Sequence, residues 1–195
     1  MKGRVVALAV VLLFGLIVTN GLKEAASKSG AEAARRSEKR SEVQALAMKW
    51  EADQEWEQRL AGAHGNRITQ VLSAELQRLW IDRPSILFIG TLEDISRLPD
   101  GSFQLTLTHD GLMSSKLLIM SSFGIRVRCS ETIGIALLTA HEKERVGLYS
   151  GVAVVAHIEN VVQEGSGDDT KRIGVGKCLE ALYLGTTRIW EGPKR

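Results

Sequence analysis

The alternation of apolar and polar residues in the C-terminal half of the chain predicts a β-rich domain. Every second residue from Phe103 to Leu107 is apolar, which is the pattern of a half-buried strand. The earlier run "ILFIG", beginning at Ile86, is apolar on both faces, so this strand is predicted to start buried. Gly90 within it predicts a bulge or a sharp bend. The intervening "LPDG" predicts a tight turn, because its proline fixes one dihedral angle and its glycine accepts a positive one.

The same alternation continues along the chain and gives an order of elements. In "IRVRC", Arg126 and Arg128 point outward, while Cys129 and the two apolar residues point inward. Ser130 is expected to cap a helix that has Glu131 in its first turn. The segments "SGVAVVAHIENVV" and "RIGVGKCLEALYLG" predict two further strands, separated by the polar turn "GSGDD". The predicted order is strand, strand, strand, helix, strand, strand.

This order is typical of a known barrel. A five-stranded barrel with its helix between the third and fourth strands is the OB-fold. The chain resembles the small OB-fold families of exported bacterial proteins that are named for their likeness to the tRNA-anticodon-binding OB domain. The resemblance covers Pro84 to Gly185 and is carried by "FIGTLEDI", "VRCSE", "GVAVVAHIENV" and "GKCLEAL". It implies the barrel but supplies no catalytic residues, and the family name records likeness of fold rather than binding of tRNA.

Residues 22–80 are predicted to form a helical stalk or linker, because they are rich in Ala, Glu, Lys, Arg and Gln and contain no proline. The part "KEAASKSGAEAARRSEKRSE" has almost no large apolar side chain, which predicts a solvated helix or a disordered spacer. Val43, Leu46 and Trp50 begin an apolar stripe that is too short for a coiled coil. Two interpretations stay open: a helix that pairs with a partner or with itself, and a spacer whose last turns pack on the domain.

Residues 1–21 predict a signal peptide or a transmembrane signal-anchor. A basic start precedes an apolar run from Val5 to Val18, which fits the apolar region of a secretory signal. A membrane-spanning helix needs about 20 residues, and residues 19–22 extend the run without a charge. We expect the rest of the chain to be exported, either anchored in the inner membrane and facing the periplasm, or periplasmic or secreted after cleavage. The predicted domains are residues 1–21, the stalk 22–80 and an OB-fold-like domain 81–190.

The distribution of charge argues against a polyanionic partner. The formal net charge is +2, and Lys2 and Arg4 account for all of it. Residues 21–80 carry ten basic and nine acidic side chains, and residues 81–195 carry thirteen and fourteen. Proteins that hold duplex nucleic acid show a basic face. Binding of single strands needs outward aromatic side chains, whereas Phe88 and Phe103 occupy inward positions, so we expect no nucleic-acid partner.

Candidate chemistry is sparse in this sequence. The two cysteines, Cys129 and Cys178, are too few for a disulfide framework, and no metal-ligand spacing surrounds them. They are interpreted as buried small hydrophobes, with a Cys129–Cys178 disulfide as the alternative in an oxidising compartment. The four histidines lack metal-site spacing, and "GVGK" lacks the rest of a phosphate-binding loop. We therefore predict no catalytic residue, no metal and no cofactor.

Together these features predict a mainly β, envelope-associated binding or scaffold module without enzymatic activity. Its expected ligand is a peptide, another envelope protein or a glycan, held on the face of the second and third strands. Arg126 and Arg128 are the candidate binding residues. The membrane is an expected partner through the N-terminal apolar segment. The alternatives are a structural protein that self-associates through its stalk and, least favoured, a single-stranded nucleic-acid-binding OB domain.

Overall fold

The computed structural model of the chain describes residues 30–56, 58–59, 73–109, 123–143, 150–165 and 170–185. The chain divides into two compact units, Met1–Arg40 and Ser41–Arg195. In the first unit, residues 30–40 are helical and mostly exposed. The signal or anchor predicted for residues 1–21 lies outside the described residues. None of the helices that the structure describes is long and apolar enough to cross a membrane.

The described part of the second unit is a small barrel with attached helices. Its longer helical segments are α1 (residues 41–49), α2 (Ser73–Ile81) and α3 (Glu131–Lys143). Its strands are β1 (Ile86–Arg97), β2 (Phe103–His109), β3 (Phe123–Cys129), β4 (Gly151–Glu164) and β5 (Lys171–Gly185). They close in the order β1-β2-β3-β5-β4, with β3 and β5 parallel and the other described pairs antiparallel. The predicted β class, five-stranded barrel and helix between the third and fourth strands are confirmed, and the architecture is OB-fold-like.

The barrel interior is filled by the inward positions that the alternation predicts. Phe88 and Phe103 are both buried, and so is every second residue of β3. The interior is apolar and comes from all five strands; its fully buried members include Phe88, Leu105, Leu107, Ile125, Val154 and Ile158. Burial of this apolar surface is the main term that stabilises the barrel.

The connection between β1 and β2 is the predicted tight turn. The amide of Gly101 donates to the carbonyl of Leu98 at 3.0 Å, and Gly101 has a φ of 85°, a conformation that glycine adopts without steric cost. The register shift in β1 lies between Leu92 and Asp94 rather than at Gly90. Gly90 has a different role, because a Cβ atom there would overlap the carbonyl oxygen of Thr108 on β2.

One outer side of the barrel is covered by residues 43–52. The apolar side chains of α1 and the residues after it pack against outward positions of β1, β4 and β5; the buried members are Val43, Leu46, Ala47, Ala52, Leu87, Ala153, Val155 and Leu184. Lys49 and the indole nitrogen of Trp50 both bind Glu180 on β5, at 2.7 and 2.6 Å. Residues 152–156 of β4 are consequently buried on both faces.

Two tryptophans from the predicted stalk close the barrel at the His109 end of β2. Trp56 is fully buried, lies parallel to Phe88 at 5.9 Å between ring centroids, and donates a hydrogen bond to the carbonyl of Leu87 at 2.9 Å. Trp80 of α2 meets Trp56 edge to face at 5.2 Å. The second unit begins at Ser41, and residues 43–56 and 76–80 contribute buried side chains to its core.

Helix α3 packs at the Phe103 end of the barrel. Its first turn is capped as predicted, since the amide of Ile133 donates to the hydroxyl oxygen of Ser130 at 3.4 Å. Gly134 of α3 lies directly against the Phe103 ring, where a Cβ atom would overlap it. Leu137 is the buried apolar residue of the second turn.

Candidate functional site

The outer face of β2 and β3 is the barrel surface on which sequence analysis placed the site. The register sets Gln104 opposite Arg128 and Thr106 opposite Arg126. The parallel pairing with β5 sets Lys177 beside Arg128. These five side chains are partly or fully exposed, and we call them the polar face. The structure therefore brings Arg126 and Arg128 together on one surface, two residues apart on β3.

Arg126 is held by a carboxylate from the end of β4. Its two terminal nitrogens donate to the two oxygens of Glu164 at 2.8 and 3.2 Å, which is a bidentate pair. The hydrogen bond raises the pKa of Arg126 and lowers that of Glu164. Both side chains stay about a third or more exposed, so water screens the pair and its contribution to stability is small, about 0.2–1 kcal/mol.

Arg128 is held by the turn between β1 and β2. It forms an ion pair with Asp100, and its Nε donates to the hydroxyl oxygen of Ser102 at 2.8 Å. Ser102 in turn donates its hydroxyl to Asp100 at 2.6 Å. The turn predicted from "LPDG" is thus joined to the polar face through a small hydrogen-bonded network.

The surroundings of the polar face carry charges of both signs. Lys177 pairs with Glu159 at 2.7 Å, and this hydrogen bond lowers the pKa of Glu159. Lys171 pairs with Glu93 at 3.3 Å. Arg126, Arg128, Lys171 and Lys177 are therefore each paired with a carboxylate. Since each of these four positive charges has a negative neighbour, they do not form a cluster of unpaired cations that would concentrate a polyanion.

The two cysteines lie inside the barrel. Cys129 is 1% and Cys178 is 9% exposed, in agreement with their interpretation as buried small hydrophobes. Both are free thiols in the structure. A hydrogen bond with Cys178, reinforced by burial, raises the pKa of Cys129. The disulfide between them stays a prediction.

Each histidine in the described ranges contacts neighbouring rings, a carbonyl oxygen or a hydroxyl group. His109 is buried against the rings of Trp56 and Phe88. His157 lies with Nδ1 at 3.0 Å from the carbonyl oxygen of Pro84. His64 lies outside the described residues. Within the described ranges, no group of His, Cys, Asp or Glu side chains is placed to hold a metal ion.

Sequence analysis missed one polar cluster near the start of β4. His141 Nδ1 lies 2.8 Å from the Ser150 hydroxyl oxygen, and Tyr183 donates its hydroxyl to the same oxygen at 3.3 Å. Ser150 is only 5% exposed, so its hydroxyl is turned into the packing between α3 and the barrel rather than toward solvent. No local sequence pattern joins the three residues, because their contact arises only when α3, β4 and β5 come together.

Comparison with protein families, with curated proteins and with solved structures found no match for this chain.

Proposed function

We propose that the protein is a non-enzymatic binding or scaffold module of the cell envelope, and that it holds a polypeptide on the polar face of β2 and β3. The N-terminal apolar segment is proposed to export or tether it. We also propose that the chain belongs to the OB-fold families of exported bacterial proteins. This assignment is supported by the strand order and by the position of α3.

The observation that carries this proposal is that residues 43–52 cover one outer side of the barrel but not the polar face. Residues 43–52 bury the outer side of β1, β4 and β5, and thus one side is already occupied by the chain itself. The polar face of β2 and β3 lies on the remaining surface, with hydroxyl, amide and guanidinium groups at regular spacing. A sheet surface with preset donors and acceptors is suited to hold an extended chain or a protein loop.

The charge pattern favours a polypeptide over a nucleic acid. A partner that carries both acids and bases can exchange ion pairs with Arg126–Glu164 and Arg128–Asp100, and such complementarity gives specificity. A polyanion would instead meet the carboxylates that already neutralise each arginine. Buried Ser150, which shares its hydroxyl with His141 and Tyr183, supports a structural role for that cluster rather than nucleophilic catalysis.

The test is affinity capture from an envelope extract with the intact protein and two charge-matched variants. Arg126→Ala with Arg128→Ala removes two positive charges from the polar face. The control, Lys49→Ala with Arg78→Ala, removes two from α1 and α2. We expect a captured protein that is lost with the first variant and retained with the control. Equal capture by all three proteins, or equal loss with both variants, would contradict the proposal.

Self-association through the stalk has less support. Val43 and Leu46, the apolar residues that a pairing helix would use, are buried against the barrel. The remaining helical residues, 30–40, have small or charged side chains that are mostly exposed. Sedimentation of the protein from Gly21 onward at tens of micromolar is expected to give a monomer, and a dimer would restore this alternative.

A further inference from the structure

The two cysteines occupy matched positions on the parallel strand pair of the described barrel. The β3–β5 register ends with Arg128 opposite Lys177. The next residue on each strand is Cys129 and Cys178. Both side chains point inward and are buried. The alternation within each strand predicts only that each cysteine side chain points inward. The parallel pairing of β3 and β5 is what brings the two thiols side by side.

The spacing at this position suits a covalent link. Paired strands lie about 4.8 Å apart, within the roughly 4.4–6.8 Å between Cα atoms that disulfides span. The thiols of Cys129 and Cys178 are close enough to form a hydrogen bond. The two sulfur atoms therefore already lie next to each other in the folded barrel.

We propose that Cys129 and Cys178 form an intramolecular disulfide when the chain folds in an oxidising environment, and that this bond fastens β3 to β5 and locks the barrel closed. The bond joins two strands that are separated by α3 and β4 along the chain. It therefore fastens a strand pair whose partners lie 49 residues apart along the chain, independently of what the polar face binds.

The oxidant belongs to the class of disulfide compounds, such as oxidised glutathione. One cysteine thiolate attacks a sulfur of the oxidant, whose S–S bond breaks, and a first thiol leaves with the proton. The second cysteine thiolate then attacks this mixed disulfide, and a second thiol leaves with the other proton. The protein loses two S–H bonds and gains one S–S bond, while the oxidant is reduced to two thiols.

Burial decides when this reaction takes place. The thiolate is the reactive form, and the pKa of Cys129 is raised in the folded barrel. The folded, reduced protein is therefore expected to resist both oxidation and alkylation. The bond forms during folding, while the thiols still contact solvent.

The experiment compares reduced full-length protein that is refolded in detergent with oxidised and reduced glutathione, and without them. Trypsin cleavage after Arg128 and Lys177 leaves the cysteines on peptides 129–143 and 178–188. We expect mass spectrometry without reduction to find these two peptides joined after oxidative refolding. We also expect a thermal midpoint on the order of 10 °C above that of the reduced protein, because the bond closes a loop of roughly 50 residues.

The control is Cys178→Ala, which removes one partner and nearly preserves the apolar environment. Its thermal midpoint is expected to be the same with and without glutathione. The proposal is overturned if the refolded wild-type protein, once denatured without reductant, still carries two thiols that can be alkylated. It is equally overturned if its cysteines are joined only to glutathione or to a second chain.

Discussion

Trp56 offers the sharpest test of the barrel core, because sequence analysis placed it in the helical stalk or linker of residues 22–80 rather than in the barrel domain. Replacing it with alanine removes a fully buried side chain that lies parallel to Phe88 and edge to face with Trp80. It also removes the hydrogen bond to the buried carbonyl of Leu87. If Trp56 were a stalk residue in solvent, the same substitution would leave the stability of the barrel unchanged.

The expected loss follows from the buried area. A tryptophan buries about 200 Å², which at about 25 cal/mol per Å² corresponds to about 5 kcal/mol. Residual compactness of the unfolded chain lowers this figure by up to about 40%, and the lost hydrogen bond adds about 1 kcal/mol. We expect Trp56→Ala to lower the free energy of unfolding by about 4 kcal/mol, within the range of tryptophan truncations in protein cores.

The assay is urea unfolding of the full chain followed by circular dichroism. With a slope of about 2 kcal/mol per M, the midpoint is expected to fall by about 2 M. Met48→Ala, at a side chain that is 69% exposed, is the control and is expected to change stability by less than about 0.5 kcal/mol. If Trp56→Ala shifts the midpoint no more than Met48→Ala does, residues 50–56 do not belong to the core.

Three further predictions concern helix packing and the polar face. Gly134→Ala is expected to lower the free energy of unfolding by about 1–3 kcal/mol, because its Cβ overlaps the Phe103 ring; Gly30→Ala, which meets nothing, should be neutral or slightly stabilising in a urea titration. Nuclear magnetic resonance titration should place the pKa of Glu164 below 4.5 and return it toward 4.5 in Arg126→Ala. The stability that this carboxylate contributes is present above pH 4.5 and is lost as the pH falls through the lowered pKa. If the pKa of Glu164 is the same in the wild-type protein and in Arg126→Ala, the ion pair is contradicted. Arg126→Ala itself should cost no more than about 1 kcal/mol in thermal unfolding, and a larger loss would show a structural rather than a surface role.

Local features of the fold were predictable from the sequence. The alternation in β2 and β3, the turn at Gly101 and the cap at Ser130 all depend on residues close together in the chain. Their physical basis is local dihedral preference and the two-residue period of a strand. The positions of Arg126 and Arg128 on one outer face follow from the same period.

Features that arise from distant segments were not predictable in this way. Trp56 lies in the polar stretch of residues 51–58, so local composition indicated a stalk, and only packing against the barrel shows where its indole is buried. A large aromatic side chain within this polar stretch is the signal that could have indicated burial. The partner of Arg126, Glu164, is 38 residues away along the chain, and no spacing rule joins them.

The most direct test of the proposed binding face is site-specific photocross-linking in intact cells. A photoreactive phenylalanine analogue replaces Thr106, at the centre of the polar face, or Met48, exposed on α1. We expect a discrete protein adduct from position 106 that disappears when Arg126→Ala and Arg128→Ala are added, and no such adduct from position 48. An adduct from position 48 alone, or none from position 106, would contradict the assignment of the β2–β3 face as the binding surface.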